Sequence, residues 1–474
     1  MVAIPFPSSS APGYRQQESG GRLVNLFAEP LGEGRQDVKR VRVPGLTQFA
    51  SSGQAGFRGM IEISGILYVA WANQLYRCTS AGGVMSLVDT LGGTGSVYFA
   101  RNNALTPDQM VVTESGAFTF TTGAVTAYTP LGLPIPNSVF MLDGYFFFTT
   151  LNGEVYATGL NDTTLDPQSV TRTVAKPDQL VRGVPLDGKA LFFGTQSLEV
   201  WSDVGAQPFP LQRAVVLPVG LIGPDAVAGW EDGWGSGLLF VANDGTVRAM
   251  SGYTPSKVSP PDLDRLIQRD PNPAKLMASV HMVDGHPMWT ITGSSYSWVY
   301  DLSVGRWHER ESYLTNRWRG MQTINAFGKW LVGDRGRAPT FVGGNVYQID
   351  PANFTEAGDP IVCRLESAPV EKFPQRVRVG RADFHIEVGM GIATGIVPTQ
   401  TKPVASISWS DDGGVNWSTP LLRELGQQAT YKNISIFRVG MSTRHGRRWR
   451  IEIADPVYLA IFGGDQAAEL RAAG

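Results

Sequence analysis

Cysteine is almost absent from this 474-residue chain: Cys78 and Cys363 are the only two, and they lie far apart. Two such residues build neither a disulfide framework nor a metal cage, so assembly in a reducing cytoplasm is expected. Charge is also thin, at 17% Asp, Glu, Lys and Arg against a usual ~25%. The net charge of −2 gives no bulk attraction for a polyanion, which argues against a protein that coats nucleic acid. No apolar run approaches the ~18 residues of a membrane span. The first residues lack the basic start and apolar core of a signal peptide, so neither a leader nor a span is expected. Lysine is the scarcer basic residue, 9 against 31 Arg. Arg suits buried or interfacial pairing, because its planar fork is less strongly hydrated; GC-rich coding is the plain alternative.

What is abundant is glycine (55) and proline (31), a composition that excludes a coiled coil or large helical bundle. A hydrophobic share of 42% excludes general disorder. Short strands and many turns remain, which is an all-β protein.

Residues 1–55 lack a clear period and read as an extended arm. Its Leu23, Leu26 and Phe27 cannot be buried within the arm, so it must lie against the body of its own subunit or a neighbour. From 56 to 350 a hairpin unit recurs, over 63–78, 109–121, 142–158, 186–202, 237–251, 283–302 and 327–350. Asn152-Gly153 and Asp244-Gly245 sit between alternating strands, the strongest short-range hairpin signal. Asp143-Gly144, Asp187-Gly188 and Asp284-Gly285 open three copies at similar places. A spacing of roughly 35–50 residues is that of propeller blades. A lone hairpin cannot hide its apolar face, so a β-propeller of six or seven blades is expected, with two packed β-sandwiches as the alternative. Residues 260–269 break the pattern: Pro261 and Asp262 precede Leu263, Leu266 and Ile267 at helical spacing, which predicts a short inserted helix. Residues 351–474 form a C-terminal β-sandwich domain, with strands over 362–366, 378–388, 406–410, 434–439, 448–453 and 457–462.

Chemistry-bearing motifs are few. Ser410, Asp412, Gly414 and Trp417 fit the Asp-box pattern, a structural turn in which the carboxylate ties down amides and Gly takes a positive φ. The five histidines, His281, His286, His308, His385 and His445, lack the helical i, i+4 spacing of a zinc pair. No nucleophile elbow or phosphate loop occurs. The carboxylate pairs Glu231-Asp232 and Asp411-Asp412 are adjacent in sequence, so strand or turn geometry points them apart. The densest basic run holds Arg444, Arg447, Arg448 and Arg450 around Trp449. Arg and aromatics together serve phosphate and base contacts. In a strand, however, Arg448 and Arg450 share one face and Trp449 takes the other, which makes a solvated or inter-subunit face with Trp in the core.

The order of parts, an arm ending near Pro44-Gly45-Leu46, then hairpins, then a β domain, resembles the packaged-DNA stabilisation proteins of short-tailed bacteriophages, also called tail nozzle or tail hub proteins. The likeness covers nearly the whole chain. It rests on Arg58-Gly59-Met60, Val283-Asp284-Gly285-His286, and Trp298-Val299-Tyr300-Asp301 before Gly305-Arg306-Trp307. Near the end it rests on Ser408-Trp409-Ser410-Asp411-Asp412-Gly413, Phe437-Arg438-Val439-Gly440 and Arg447-Arg448-Trp449-Arg450-Ile451. The resemblance implies a non-enzymatic virion component without cofactor or metal, located in the tail and assembled in the bacterial host cytoplasm. It implies a hexameric nozzle below the portal adaptor that helps close the exit channel, retains packaged DNA and conducts it during ejection. Partners so implied are further copies of the chain, the tail adaptor, the tail needle or fibre and spike proteins, and DNA without sequence specificity. Arg22, Leu23, Leu26 and Phe27 are then expected to dock on a neighbouring subunit or the adaptor. Arg444, Arg447, Arg448 and Arg450 are expected to meet DNA or an interface. The competing reading is a sialidase-like or other propeller carbohydrate-active enzyme, or a sugar-binding protein; a cluster of carboxylates and arginines at the ring centre would favour the enzyme.

Overall fold

The computed structural model describes residues 1–15, 18–32, 38–173, 175–336, 343–371, 375–387, 389–391, 396–428 and 434–471. The fold is all-β, and seven hairpin units form seven blades. The innermost strands are Phe57–Ile63, Tyr98–Arg101, Ser138–Leu142, Leu180–Leu186, Val227–Ala228, Met277–Val283 and Gly320–Ala326, and each starts a blade of four antiparallel strands.

The alternation of side chains along each strand builds the wheel. Successive residues point to opposite faces, and both faces of a blade are covered by neighbouring blades. In Tyr145–Thr149, Phe146 and Phe148 pack with Met110 and Val112 of the blade before. Phe147 between them packs with Phe192 and Trp201 of the blade after. Burying both faces explains the uninterrupted Phe146-Phe147-Phe148 run, as in strands covered on both sides. The turns after five innermost strands carry two successive positive φ angles: Ser64-Gly65, Asp143-Gly144, Asp187-Gly188, Asp284-Gly285 and Phe327-Gly328. That is the type I′ turn, whose twist matches that of the strands it joins.

The arm is no separate element. Gly45–Ser51 pairs antiparallel with Asn345–Asp350 as the outer strand of the seventh blade, placing Leu46 opposite Ile349. The ring is thus closed by a segment from the opposite end of the chain. Leu26–Pro30 and Val38–Arg42 form a hairpin in one sheet of the C-terminal domain, beside Ala460–Arg471. Gly21–Val24 inserts between Arg306–Glu309 of the sixth blade and Cys363–Ser367 of the sandwich. The reason is that strand backbone and apolar side chains both require partners, and the chain supplies them itself. Leu23, Leu26 and Phe27 are 0%, 0% and 2% exposed within the sandwich core.

One nine-stranded sheet consequently runs from the sixth blade through Gly21–Val24 into the sandwich strands Cys363–Ser367, Arg448–Ile453, Val404–Ser410 and Leu421–Glu424. The facing sheet contains Arg376–Ile386, Ile434–Met441 and Ala460–Arg471. The last of these is longer than the strand expected over 457–462. Its Ala-rich end stays extended because it pairs along Arg376–Ile386, and pairing overrides local preference. Val388, at the end of an expected strand, lies outside the described residues, as does part of the seventh expected hairpin. The inserted helix is Pro261–Gln268, with Asp262 and Asp264 in its first turn, where acidic groups suit the dipole. Among the described residues no helix is long and apolar enough to cross a membrane.

Candidate functional site at the seam between propeller and sandwich

The three residue groups singled out by sequence, the arm's Arg22, the Asp box and the basic run, converge on this one seam. Strand pairing brings them there. Arg22 lies opposite Glu366, and Glu366 lies opposite Arg450 on the next strand. Ser410, which starts the Asp box, lies opposite Arg448.

Glu366 is the hub and is 3% exposed. It accepts from Arg448 Nη2 at 3.1 Å and from Arg450 Nε at 2.9 Å. Arg448 also donates to the carbonyls of Ser367 (3.1 Å) and Gly413 (2.8 Å) and to Ser19 Oγ (3.0 Å). Burial pushes the Arg448 guanidinium down, with Glu366 opposing. Arg22 donates to Glu309 from Nε at 3.0 Å and from Nη2 at 2.5 Å, and Ser10 Oγ donates to the same carboxylate at 2.6 Å. Burial also pushes Arg22 down, but the Glu309 carboxylate outweighs it and holds the guanidinium above its ordinary value.

The expected roles change accordingly. Leu23, Leu26 and Phe27 are core residues, so they cannot dock on a neighbour or an adaptor. Arg447 is 1% exposed and gripped by Asp411 through two bonds of 2.7 Å. Arg448 is 3% exposed, and Arg450 stacks its guanidinium 3.7 Å from the Trp417 ring centre. The donors of Arg447 and Arg448 serve their own chain, so these two are not free to meet DNA. Arg444 alone of the four is exposed. Trp449 is buried as the strand alternation requires, and its Nε1 donates to Gln466 Oε1 at 2.8 Å.

The Asp box is a turn that supports the seam. Asp412 accepts from the amides of Val415 (3.0 Å) and Asn416 (2.9 Å), and from Ser410 Oγ at 2.7 Å. Burial acts to raise its carboxyl, but these bonds outweigh it and hold it at about 2. Gly414 has φ +99°, and a Cβ there would stand 2.5 Å from Arg448 Nη1. Trp417 Nε1 donates to the Gly414 carbonyl at 3.1 Å, which sets the ring under Arg450.

Nearby, Arg310 donates to Glu356 at 2.8 Å with both groups buried, and Arg319 grips Asp334 through two bonds of 2.9 Å. His281 and His308 sit beside Arg310, and burial pushes both imidazoles down to about 3. They are neutral core groups. His286 instead pairs with Asp301 at 2.7 Å. His385 lies 3.4 Å from Asp465, and His445 is exposed. Among the described residues no group of three or more His, Cys, Asp or Glu is placed to hold a metal ion.

Sequence reasoning missed Ser10, Ser19, Glu309 and Glu366. Glu309 and Glu366 stand in short strands of mixed polarity, and no local pattern names their partners, which lie 287 residues away for Glu309 and Arg22 and 84 for Glu366 and Arg450.

The ring centre holds a second polar group. Arg182 donates to Asp225 at 3.1 Å and lies over the Tyr98 ring, 3.8 Å from its centre. Tyr98 and Ser96 donate to the same Asp225 carboxylate at 3.0 and 2.6 Å. Tyr98 borders two axial cavities, of about 280 and 1010 Å3, and the cluster stands between them. The group is a single Arg182–Asp225 pair whose carboxylate is already engaged by Ser96 and Tyr98, short of the cluster of arginines and carboxylates that would favour an enzyme.

Two adjoining family models match the chain. Residues 13–342 match the β-propeller of bacteriophage P22 Gp10, and residues 373–469 match its β-sandwich. No curated protein matches significantly. Among solved structures, the WD40 repeats of RRP9 are similar at 9% identity and TM-score 0.43, over 65% of this chain and 99% of that one. BamB from Moraxella catarrhalis is similar at 11% identity and TM-score 0.39, over 68% of this chain and 95% of that one. The computationally designed Ika8 protein is similar at 9% identity and TM-score 0.38, over 74% of this chain and 98% of that one. The two family matches together span most of the chain and divide it where blades give way to sandwich: the chain belongs to the family of bacteriophage P22 Gp10, a phage structural protein family.

Proposed function

We propose that this chain is a non-catalytic building block of a short-tailed phage's tail nozzle. Six copies form a tube below the portal adaptor that helps retain packaged DNA and conducts it at ejection. The observation that carries the reading, beside the family, is the nine-stranded sheet shared by propeller and sandwich. A wall around pressurised DNA needs domains that do not hinge. Here backbone hydrogen bonds through Gly21–Val24 and the Arg22–Glu309 ion pair cross the seam, whereas domains joined by a linker move by default. A net charge of −2 suits a conduit past which DNA slides, since tight phosphate binding requires a strong positive surface. Ring closure by one repeated heterologous contact is the expected assembly geometry. The adaptor and the needle, fibre or spike proteins are the proposed partners, and the subunits are made in the host cytoplasm and end in the virion.

Electron-microscope class averages and mass measurement of the chain, alone and with assembled tails, test this. Six copies of the 51.3 kDa chain give a sixfold ring near 300 kDa. Assembled tails showing no ring of this subunit would overturn the proposal.

A further inference from the structure

The smaller axial cavity, of about 280 Å3, is walled by the innermost strands of five blades and by residues 230–232, which follow the innermost strand of the fifth blade. Its position and chemistry are separate from the seam. Trp230 forms one wall and is partly open to the cavity. Around it stand Glu62, Glu231, Asp232, Arg101 and Gln322. Gln322 Oε1 accepts from the Met60 amide at 3.0 Å, so its NH2 group is left to donate inward. Glu231 Oε2 accepts from the Gly229 amide at 2.7 Å, and the Trp230 and Glu231 amides also bond its carboxylate, which fixes the group in the wall. Asp232 stands exposed at the rim, and its carboxylate takes part in no hydrogen bond or ion pair among the described residues.

We infer that this cavity is a binding site for one neutral hexose residue, such as the end of a glycan on a cell envelope. A pyranose carries an apolar C–H face and a rim of hydroxyls. The cavity offers an aromatic wall for the first, and carboxylate acceptors with guanidinium and amide donors for the second. Pockets of this kind combine mostly apolar walls with a few placed polar groups, and ~300 Å3 is the small end of their range. Charge selects within the sugars. Arg182 at the floor is paired with Asp225 and also acts on Glu231, so Glu62 and Asp232 outnumber Arg101 around the cavity, and an acidic sugar is disfavoured by like charge. A cationic sugar finds the Trp230 ring already faced by Arg182, 5.4 Å from its centre. Burial pushes the Glu231 carboxyl up to about 7, so near neutral pH it offers both a donor and an acceptor to a hydroxyl pair.

The test is saturation-transfer NMR on the full chain with five probes. These are the methyl glycosides of glucose, galactose and mannose, methyl glucuronide and methyl glucosaminide. At least one of the three neutral probes is expected to bind, and Trp230→Ala and Asp232→Asn are each expected to weaken it by about tenfold or more, some 1.4 kcal/mol. Asp232→Asn lies on the surface and should melt like the wild type, so its loss of binding cannot come from misfolding. Binding by none of the neutral probes, binding confined to the charged ones, or binding indifferent to Asp232→Asn would overturn the assignment. None of these outcomes bears on ring assembly, so the site and the nozzle reading stand or fall separately.

Discussion

The wheel and the seam keep their parts together by different means. Between blades the contacts are apolar on both faces, as where Phe147 meets Phe192 and Trp201. At the seam the same backbone geometry carries buried charge, with Glu366 joining Arg448 and Arg450. Apolar packing is non-directional and tolerates swaps of similar volume. A buried ion pair contributes little net stability, yet leaving one partner alone is costly, so it fixes register more than it adds strength. The difference explains the arginine excess: one planar guanidinium such as Arg448 reaches four acceptors from three segments, which an ammonium on a flexible stem does less well.

Removing residues 1–51 abolishes the distinction and is the severest test. It takes the outer strand from the seventh blade, the linking strand from the seam and a hairpin from the sandwich, so no cooperative thermal unfolding transition should survive. Phe147→Ala probes the wheel alone, and a loss of about 3–5 kcal/mol in urea denaturation is expected from cavity formation. Glu366→Ala probes the seam and should cost about 3–5 kcal/mol by stranding buried arginines. The triple change that also replaces Arg448 and Arg450 with Met should recover a large part of that loss, whereas no polar partner change rescues Phe147→Ala.

Acid should affect the junction before the outer blades. His281 and His308 have folded values near 3 against an ordinary 6.5, so between these limits the unfolded chain binds more protons. Stability therefore falls as pH drops from 6.5 toward 3, by at most about 1.4 kcal/mol per unit for each histidine. His286, raised chiefly by its bond to Asp301, works in the opposite sense and offsets part of this loss. Melting curves from pH 7 to 4.5 for the wild type and for His281→Gln with His308→Gln check it: the double variant should show the shallower decline. The smallest effect is expected at the Asp box, where Asp412→Ala should cost about 1 kcal/mol, visible as a small midpoint shift with the propeller core unaffected.

Much of the wheel was legible because its signals are local. Asp143-Gly144 announces a type I′ turn, and Pro261 with Asp262 announces the helix start. The Asp box could be read as a structural turn from four residues. Other features depend on partners remote in sequence. Nothing in Gly45–Ser51 says that it completes a blade begun at Gly320, and nothing in Arg22 names Glu309. That the arm's apolar residues needed outside cover could be read from their lack of a local partner, but not that the cover comes from sheets of the same chain. The alanines near the C-terminus resemble a helix until Arg376–Ile386 supplies their pairing. At the axis, Tyr98, Arg182 and Asp225 come from three segments with nothing in common at the level of motif.

Gly45–Ser51, which latches the seventh blade, is made about 300 residues before the segment it clasps, Asn345–Asp350. A nascent chain, or one cut short before Asn345–Asp350, therefore leaves the Gly45–Ser51 edge without this partner, and the circle seals only when that segment has been made. Defective copies would betray themselves to the cell's proteases before they could be built into a particle.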